Sequence, residues 1–220
     1  MRGAALCTVR VSDPGDVDMG SNLREKIERW FKSHEDGEFC SPETRLPYSV
    51  IGPSQSPGTI VYTTKPSSVA LGVCEGGRRP ILGMVGRYGL PSEQDAGWLR
   101  DLANVHRLVF LGDLDPPDLL IYAWMIDFLR PNSMTYLGIS DQYISALSVN
   151  LPKTYVMTCT TAEHESLPLL KDVFPEFESI IGSQSAQLLA DGKKIEIEAV
   201  VSALGSAERL LQPAVTDPQS

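Results

Sequence analysis

The apolar positions of this chain fall into two regimes that meet near Gly58. Before that glycine, Leu23, Ile27, Trp30 and Phe31 recur at helical spacing and predict a helix over 23–34, with Ser21 and Asn22 as candidate caps. Pro42, Pro47, Pro53 and Pro57, set among serines, read as a linker in which Tyr48 to Ile51 is expected as a short strand. After Gly58, short apolar runs alternate with helical segments. Ile60 to Tyr62, Pro80 to Val85, Leu108 to Leu111 and Met134 to Leu137 read as strands. Ser67 to Val73, Glu93 to Leu102 (Trp98 and Leu99 inward) and Asp118 to Leu129 read as helices, and Asp141 to Leu147 as a helical turn. That alternation predicts βαβ units, hence an α/β fold with a mostly parallel sheet flanked by helices. Leu167 to Val173, Glu176 to Ile181, Ser185 to Leu189 and Ile195 to Leu204 read as short helices packed on one end. The expected division is an N-terminal extension over 1–57, a domain over 58–205 and a flexible tail over 206–220.

One strand ends in chemistry. Leu108-Val109-Phe110-Leu111 runs into Gly112-Asp113-Leu114-Asp115-Pro116, and ligands of open α/β sheets gather at the carboxyl ends of strands. Spacing by two turns both carboxylates the same way on an extended chain. Side by side they repel unless a cation or a proton intervenes, and Mg²⁺ is the hard, oxygen-seeking candidate. The competing reading is a helix cap by Asp115 or Asp118, since aspartate is a favoured N-cap and Pro116 and Pro117 suit a first helical turn. Asp141 and Glu75 are candidate third acids, Asp141 with a capping alternative and Glu75 in an exposed turn; Glu93 and Asp95 start a helix, where negative charge is favourable anyway.

Composition narrows the classes. A net charge of −9 argues against a chain that coats nucleic acid non-specifically. Cys7, Cys40, Cys74 and Cys159 lie far apart without a paired spacing, which speaks against zinc and for a reducing, cytoplasmic setting. No apolar run approaches the roughly 18 residues of a membrane span, and the N-terminus turns acidic too soon for a signal peptide.

Several segments then fall in a familiar order: Ile60-Val61-Tyr62-Thr63-Thr64-Lys65; Gly83-Met84-Val85-Gly86-Arg87-Tyr88-Gly89-Leu90-Pro91; Gly112-Asp113-Leu114-Asp115-Pro116; Tyr136-Leu137-Gly138-Ile139-Ser140-Asp141; and Lys193-Lys194-Ile195-Glu196-Ile197-Glu198-Ala199. Over 59–204 the chain resembles the Toprim domain in the version found in the A subunit of type VI topoisomerases. The meiotic double-strand-break protein and the nuclease subunit of some bacterial plasmid-defence systems share that version. The resemblance implies a Toprim-like sheet, Mg²⁺ at Asp113 and Asp115, and a DNA-linked process. It also implies Lys65 at a phosphate, and the Gly86-Arg87-Tyr88-Gly89 turn invites Arg87 on a phosphate and Tyr88 on a base. That turn reads equally as a glycine-enabled tight turn around a half-buried tyrosine.

Two departures limit the resemblance. Thr64 stands where the family carries a glutamate, so the site loses one charge and one acid/base group. The family's tyrosine nucleophile sits on a separate winged-helix domain, whereas here Tyr48 alone precedes residue 58. The expected function is therefore a divergent Toprim protein in a DNA-linked complex, weakly Mg²⁺-binding and without independent catalysis, with other proteins as its partners. Two further classes stand beside it: an active Mg²⁺-dependent nuclease or phosphoryl-transfer enzyme with an unorthodox third acid, and a structural protein-binding module.

Overall fold

The computed structural model describes residues 19–35, 39–44, 48–75, 81–129 and 133–215. The fold is α/β, a five-stranded mostly parallel sheet flanked by helices, with an N-terminal helix, α1 (Met19–Ser33), ahead of it. Ser21 and Asn22 lie inside the first turn of α1, so the helix starts earlier than the caps predict. Residues 1–18 of the expected N-terminal extension lie outside the described residues.

β1 (Ser49–Ile51) is the short strand expected in the linker, and it pairs antiparallel with β3 (Leu82–Gly86) at the sheet edge. β2 (Thr59–Thr63) runs parallel to β3 on one side and to β4 (Arg107–Leu111) on the other. β5 (Met134–Tyr136) continues the parallel set beside β4, giving the order β1-β3-β2-β4-β5. The chain moves outward from β2 to β3, then returns to the other side of β2 for β4. The strand order therefore reverses between β2 and β4, and that is where an open α/β sheet opens a crevice at its carboxyl ends. Thr63 is level with Leu111 in the register, so Thr64-Lys65 and Gly112-Asp113 leave the sheet side by side.

Helices cover the sheet. α2 (Pro66–Glu75), α3 (Glu93–Ala103) and α4 (Pro116–Leu129) connect the parallel strands. α4 is apolar nearly all round and buried along most of its length, as its place between α1, α3, β5 and α6 (Thr161–Val173) requires. Leu99 of α3 is fully buried, but Trp98 is 41% exposed and meets Tyr48 edge-on, contrary to the inward placement expected. α5 (Asp141–Ala146), α7 (Phe177–Ile181), α8 (Ser183–Ala190) and α9 (Ile197–Leu204) account for the remaining helical signals.

Two short pieces escape the sequence reading. β6 (Met157–Thr158) and β7 (Lys193–Lys194) form a small antiparallel ribbon, and the next residue, Ile195, exchanges backbone hydrogen bonds with Leu114. The ribbon thereby carries the start of α9 to the Asp113–Asp115 loop. Beyond α9 the chain is packed, not a flexible tail, as far as Val215. α10 (Ala207–Leu210) lies on α2, and α11 (Gln212–Val215) follows with Leu211 and Ala214 buried. Gly72 permits that contact, since a β-carbon there would come within 2.4 Å of the Ala207 carbonyl. Among the described residues no helix is long and apolar enough to cross a membrane.

Candidate metal centre

The buried strand β4 delivers Asp113 and Asp115 to the crevice, and the first turn of α4 adds Asp118. One oxygen from each of these three buried carboxylates lies within 4.8 Å of the others. The sequence singles out the first two by their period. Asp118 reads there only as a capping candidate, and the signal that could have found it is its place one helical turn after Asp115.

Each carboxylate is fixed by a different element. Asp113 Oδ1 accepts from the Ile197 backbone N–H at 2.7 Å, and its Oδ2 pairs with Lys65 Nζ at 3.0 Å. Asp115 Oδ1 accepts from the Asp118 N–H at 2.8 Å, the N-capping bond of α4. Asp118 Oδ2 accepts from the Asp113 N–H at 2.6 Å and from Thr64 Oγ1 at 2.7 Å. Gly112 is required for this approach, because a β-carbon there would sit 2.5 Å from Asp118 Oδ2. The capping and clustering readings of the sequence thus coexist: Asp115 caps α4 through one oxygen while its carboxylate stands within the cluster.

Electrostatics agree with the geometry. Burial, then the charge of Asp118, raises Asp113 to about 8 against the pull of Lys65. Burial, then Asp118 and Asp113, pushes Asp115 well above the usual carboxylate range. Burial raises Asp118 as well, with the Thr64 and Asp113 hydrogen bonds opposing. Three such groups titrate as one unit, and a cation among them would relieve the burial and mutual repulsion that raise them. Burial works against the charge of Lys65, but Asp113 and Glu198 outweigh it and hold the ammonium above its ordinary range.

A second charged set borders the cleft. Lys194 Nζ pairs with Glu163 Oε1 at 2.8 Å and Glu196 Oε1 at 3.0 Å. Glu163 also closes the capping box of α6, its Oε2 accepting from the Thr160 N–H at 2.6 Å. Glu163 and the role of Lys194 are not visible to local spacing, because the ribbon brings them together across 31 positions. The cleft measures about 190 Å³, with Phe31, Phe39, Tyr88 and Ile121 on its apolar walls and both charged sets lining it.

The other sequence candidates divide. Lys65 lines the cleft but is paired with Asp113, not an unpartnered surface lysine. Tyr88 lines it too and is about half exposed. Arg87 is buried, donates to the carbonyls of Ser41 and Thr44 and lies over the Tyr48 ring, so it faces inward and not toward a phosphate. Asp141 belongs elsewhere: it accepts from the N–H groups of Gln184 and Ser185 and from Ser185 Oγ, holding the start of α8. Glu93 is exposed and pairs with Arg24. The side chains of Glu75 and Asp95 lie outside the described residues.

The donor set is all oxygen and all carboxylate, which suits a hard divalent cation such as Mg²⁺ over a soft one. Asp115 Oδ2 and Asp118 Oδ1 accept no hydrogen bond among the described residues, so each has an oxygen left for an ion. No protein-family model matches this chain, and no curated protein matches it.

Proposed function

We propose that this chain is a divergent Toprim-fold protein that works in a DNA-linked process as one part of a complex. It binds Mg²⁺ weakly through Asp113, Asp115 and Asp118 and has no catalysis of its own. The observation that carries the reading is the meeting of these three buried carboxylates at the point where the strand order reverses. Bound there, Mg²⁺ would neutralise the cluster and polarise a phosphoryl oxygen. Weak affinity follows because both oxygens of Asp113 are already engaged, Oδ1 by the Ile197 N–H and Oδ2 by Lys65. Thr64 supports the lack of catalysis, since a hydroxyl committed to Asp118 offers no general base where the resembled family has a glutamate.

The first test is calorimetric titration of Mg²⁺ and Mn²⁺ into the intact chain and into Asp113→Asn/Asp115→Asn. Binding by the intact chain that vanishes in the double variant is the expected result. No heat in either protein sinks the metal reading and leaves the aspartates as structural groups. One observation favours a second reading, an active phosphoryl-transfer enzyme, because Asp118 supplies the third acid that Thr64 does not. Cleavage of plasmid DNA by the isolated chain with Mg²⁺ or Mn²⁺, lost in Asp118→Asn, would establish that reading over the first.

A further inference from the structure

Lys65 Nζ lies 3.0 Å from Asp113 Oδ2 and 3.7 Å from Glu198 Oε2, bridging a buried carboxylate and a half-exposed one. Both seats of the ammonium are tied to the N-terminus of α9. Ile197, the first residue of that helix, donates its N–H to Asp113 Oδ1. Glu198, the second, accepts from Ser68 Oγ of α2 at 2.9 Å through its other oxygen. An ion shared by the three aspartates needs an oxygen from Asp113. Oδ1 satisfies a helix-terminal N–H, which is costly to orphan in a buried setting. Oδ2 is the oxygen left, and Lys65 occupies it. A divalent ion about 2.1 Å from that oxygen would crowd the ammonium with like charge that solvent screens poorly in a buried site.

We infer that Lys65 is a displaceable internal cation. It neutralises Asp113 when no divalent ion is bound, and moves to Glu198 when an ion takes Asp113 Oδ2. The inference rests on the metal reading above and deepens it: affinity is set by competition with Lys65, and occupancy is registered at the contact between α9 and α2. Because binding couplings are reciprocal, weakening the lysine's hold on Asp113 strengthens the ion's.

The test uses the full chain with Mn²⁺ and Mg²⁺ in calorimetry, paired with thermal unfolding with and without Mg²⁺. Lys65→Met is expected to bind Mn²⁺ about tenfold tighter than the unaltered chain, within the usual range of site-to-site coupling. It should melt lower than the unaltered chain without ion and recover in saturating Mg²⁺. Glu198→Gln is expected to weaken Mn²⁺ binding about threefold by removing the second seat, as befits a half-exposed ion pair. A folded Lys65→Met with unchanged or weaker binding overturns the inference while the metal reading stands. Should Lys65→Met not fold, Glu198→Gln decides, and unchanged affinity there overturns it. Absence of binding by both the unaltered chain and a folded Lys65→Met removes the metal reading itself.

Discussion

Thr64 Oγ1 donates to Asp118 Oδ2 at 2.7 Å, a buried hydrogen bond that spans 54 positions and joins the end of β2 to the first turn of α4. Its direction matters, because a hydroxyl that donates holds the carboxylate in place. A glutamate at residue 64 would instead set another negative charge against Asp118. The third acid of this cluster comes from the helix and not from the strand end, and the threonine is what makes room for it.

Thr64→Val should therefore cost about 1–3 kcal/mol, the penalty for leaving a buried acceptor short of a donor. Thr64→Glu should cost more in ion-free buffer and regain part of the loss in Mg²⁺. Urea unfolding of both variants with and without Mg²⁺ measures this. Equal stability of Thr64→Glu in both buffers would show that the added charge never meets an ion.

The sheet and two of the three clustered acids are legible in the sequence because their signals are local. A run such as Leu108 to Leu111 reads as a buried strand wherever it lies, and the period of two aligns Asp113 with Asp115 without help from distant chain. Asp118 reads as a cap because caps and ligands share the same residue type at the same place. Arg87 and Asp141 escape for the opposite reason. Their partners, the carbonyls of Ser41 and Thr44 and the N–H groups of Gln184 and Ser185, come from distant segments, and no periodicity announces them. Lys194 is in view only as part of a resemblance, since a two-residue ribbon has too little sequence to announce itself.

The cluster makes the ion-free protein sensitive to rising pH. Burial raises Asp113 to about 8 in the folded chain, against about 4 when unfolded. The folded state then binds the proton more tightly, so this contribution is complete below about pH 4 and is lost as pH climbs toward 8. Thermal unfolding without divalent ions should show the melting temperature falling across that window. Saturating Mg²⁺ should flatten the curve at its alkaline end, because the ion replaces the proton. Asp113→Asn removes the titrating group, so its melting temperature should fall less steeply than that of the unaltered chain; equal slopes would exclude Asp113 as the source.

Glu163 and Lys194 are both nearly inaccessible, lie 2.8 Å apart and line the cleft together. Removing one member of a buried pair strands the other's charge, at about 3–5 kcal/mol. Lys194→Met should be destabilised by that amount in denaturant unfolding, and adding Glu163→Gln should recover a substantial part. If the two losses simply add, the pair is not coupled and the capping box alone explains Glu163.

Asp115 permits a clean separation of scaffold from chemistry. Its Oδ1 caps α4 through the Asp118 N–H, while its Oδ2 accepts no hydrogen bond among the described residues. Asparagine caps about as well as aspartate, so Asp115→Asn preserves the hydrogen bond and removes only the charge. Relief of repulsion from Asp113 and Asp118 should leave the ion-free variant at least as stable as the parent at pH 8. Asp115→Ala loses the cap as well and should fall by about 1 kcal/mol. Mn²⁺ affinity should drop at least about tenfold in both, because each lacks the carboxylate that a hard cation prefers. Calorimetry and denaturant unfolding therefore sort the two variants differently. Stability should separate Asn from Ala while affinity groups them. Retained Mn²⁺ affinity in Asp115→Asn would assign this carboxylate to the helix cap alone and leave the ion to Asp113 and Asp118.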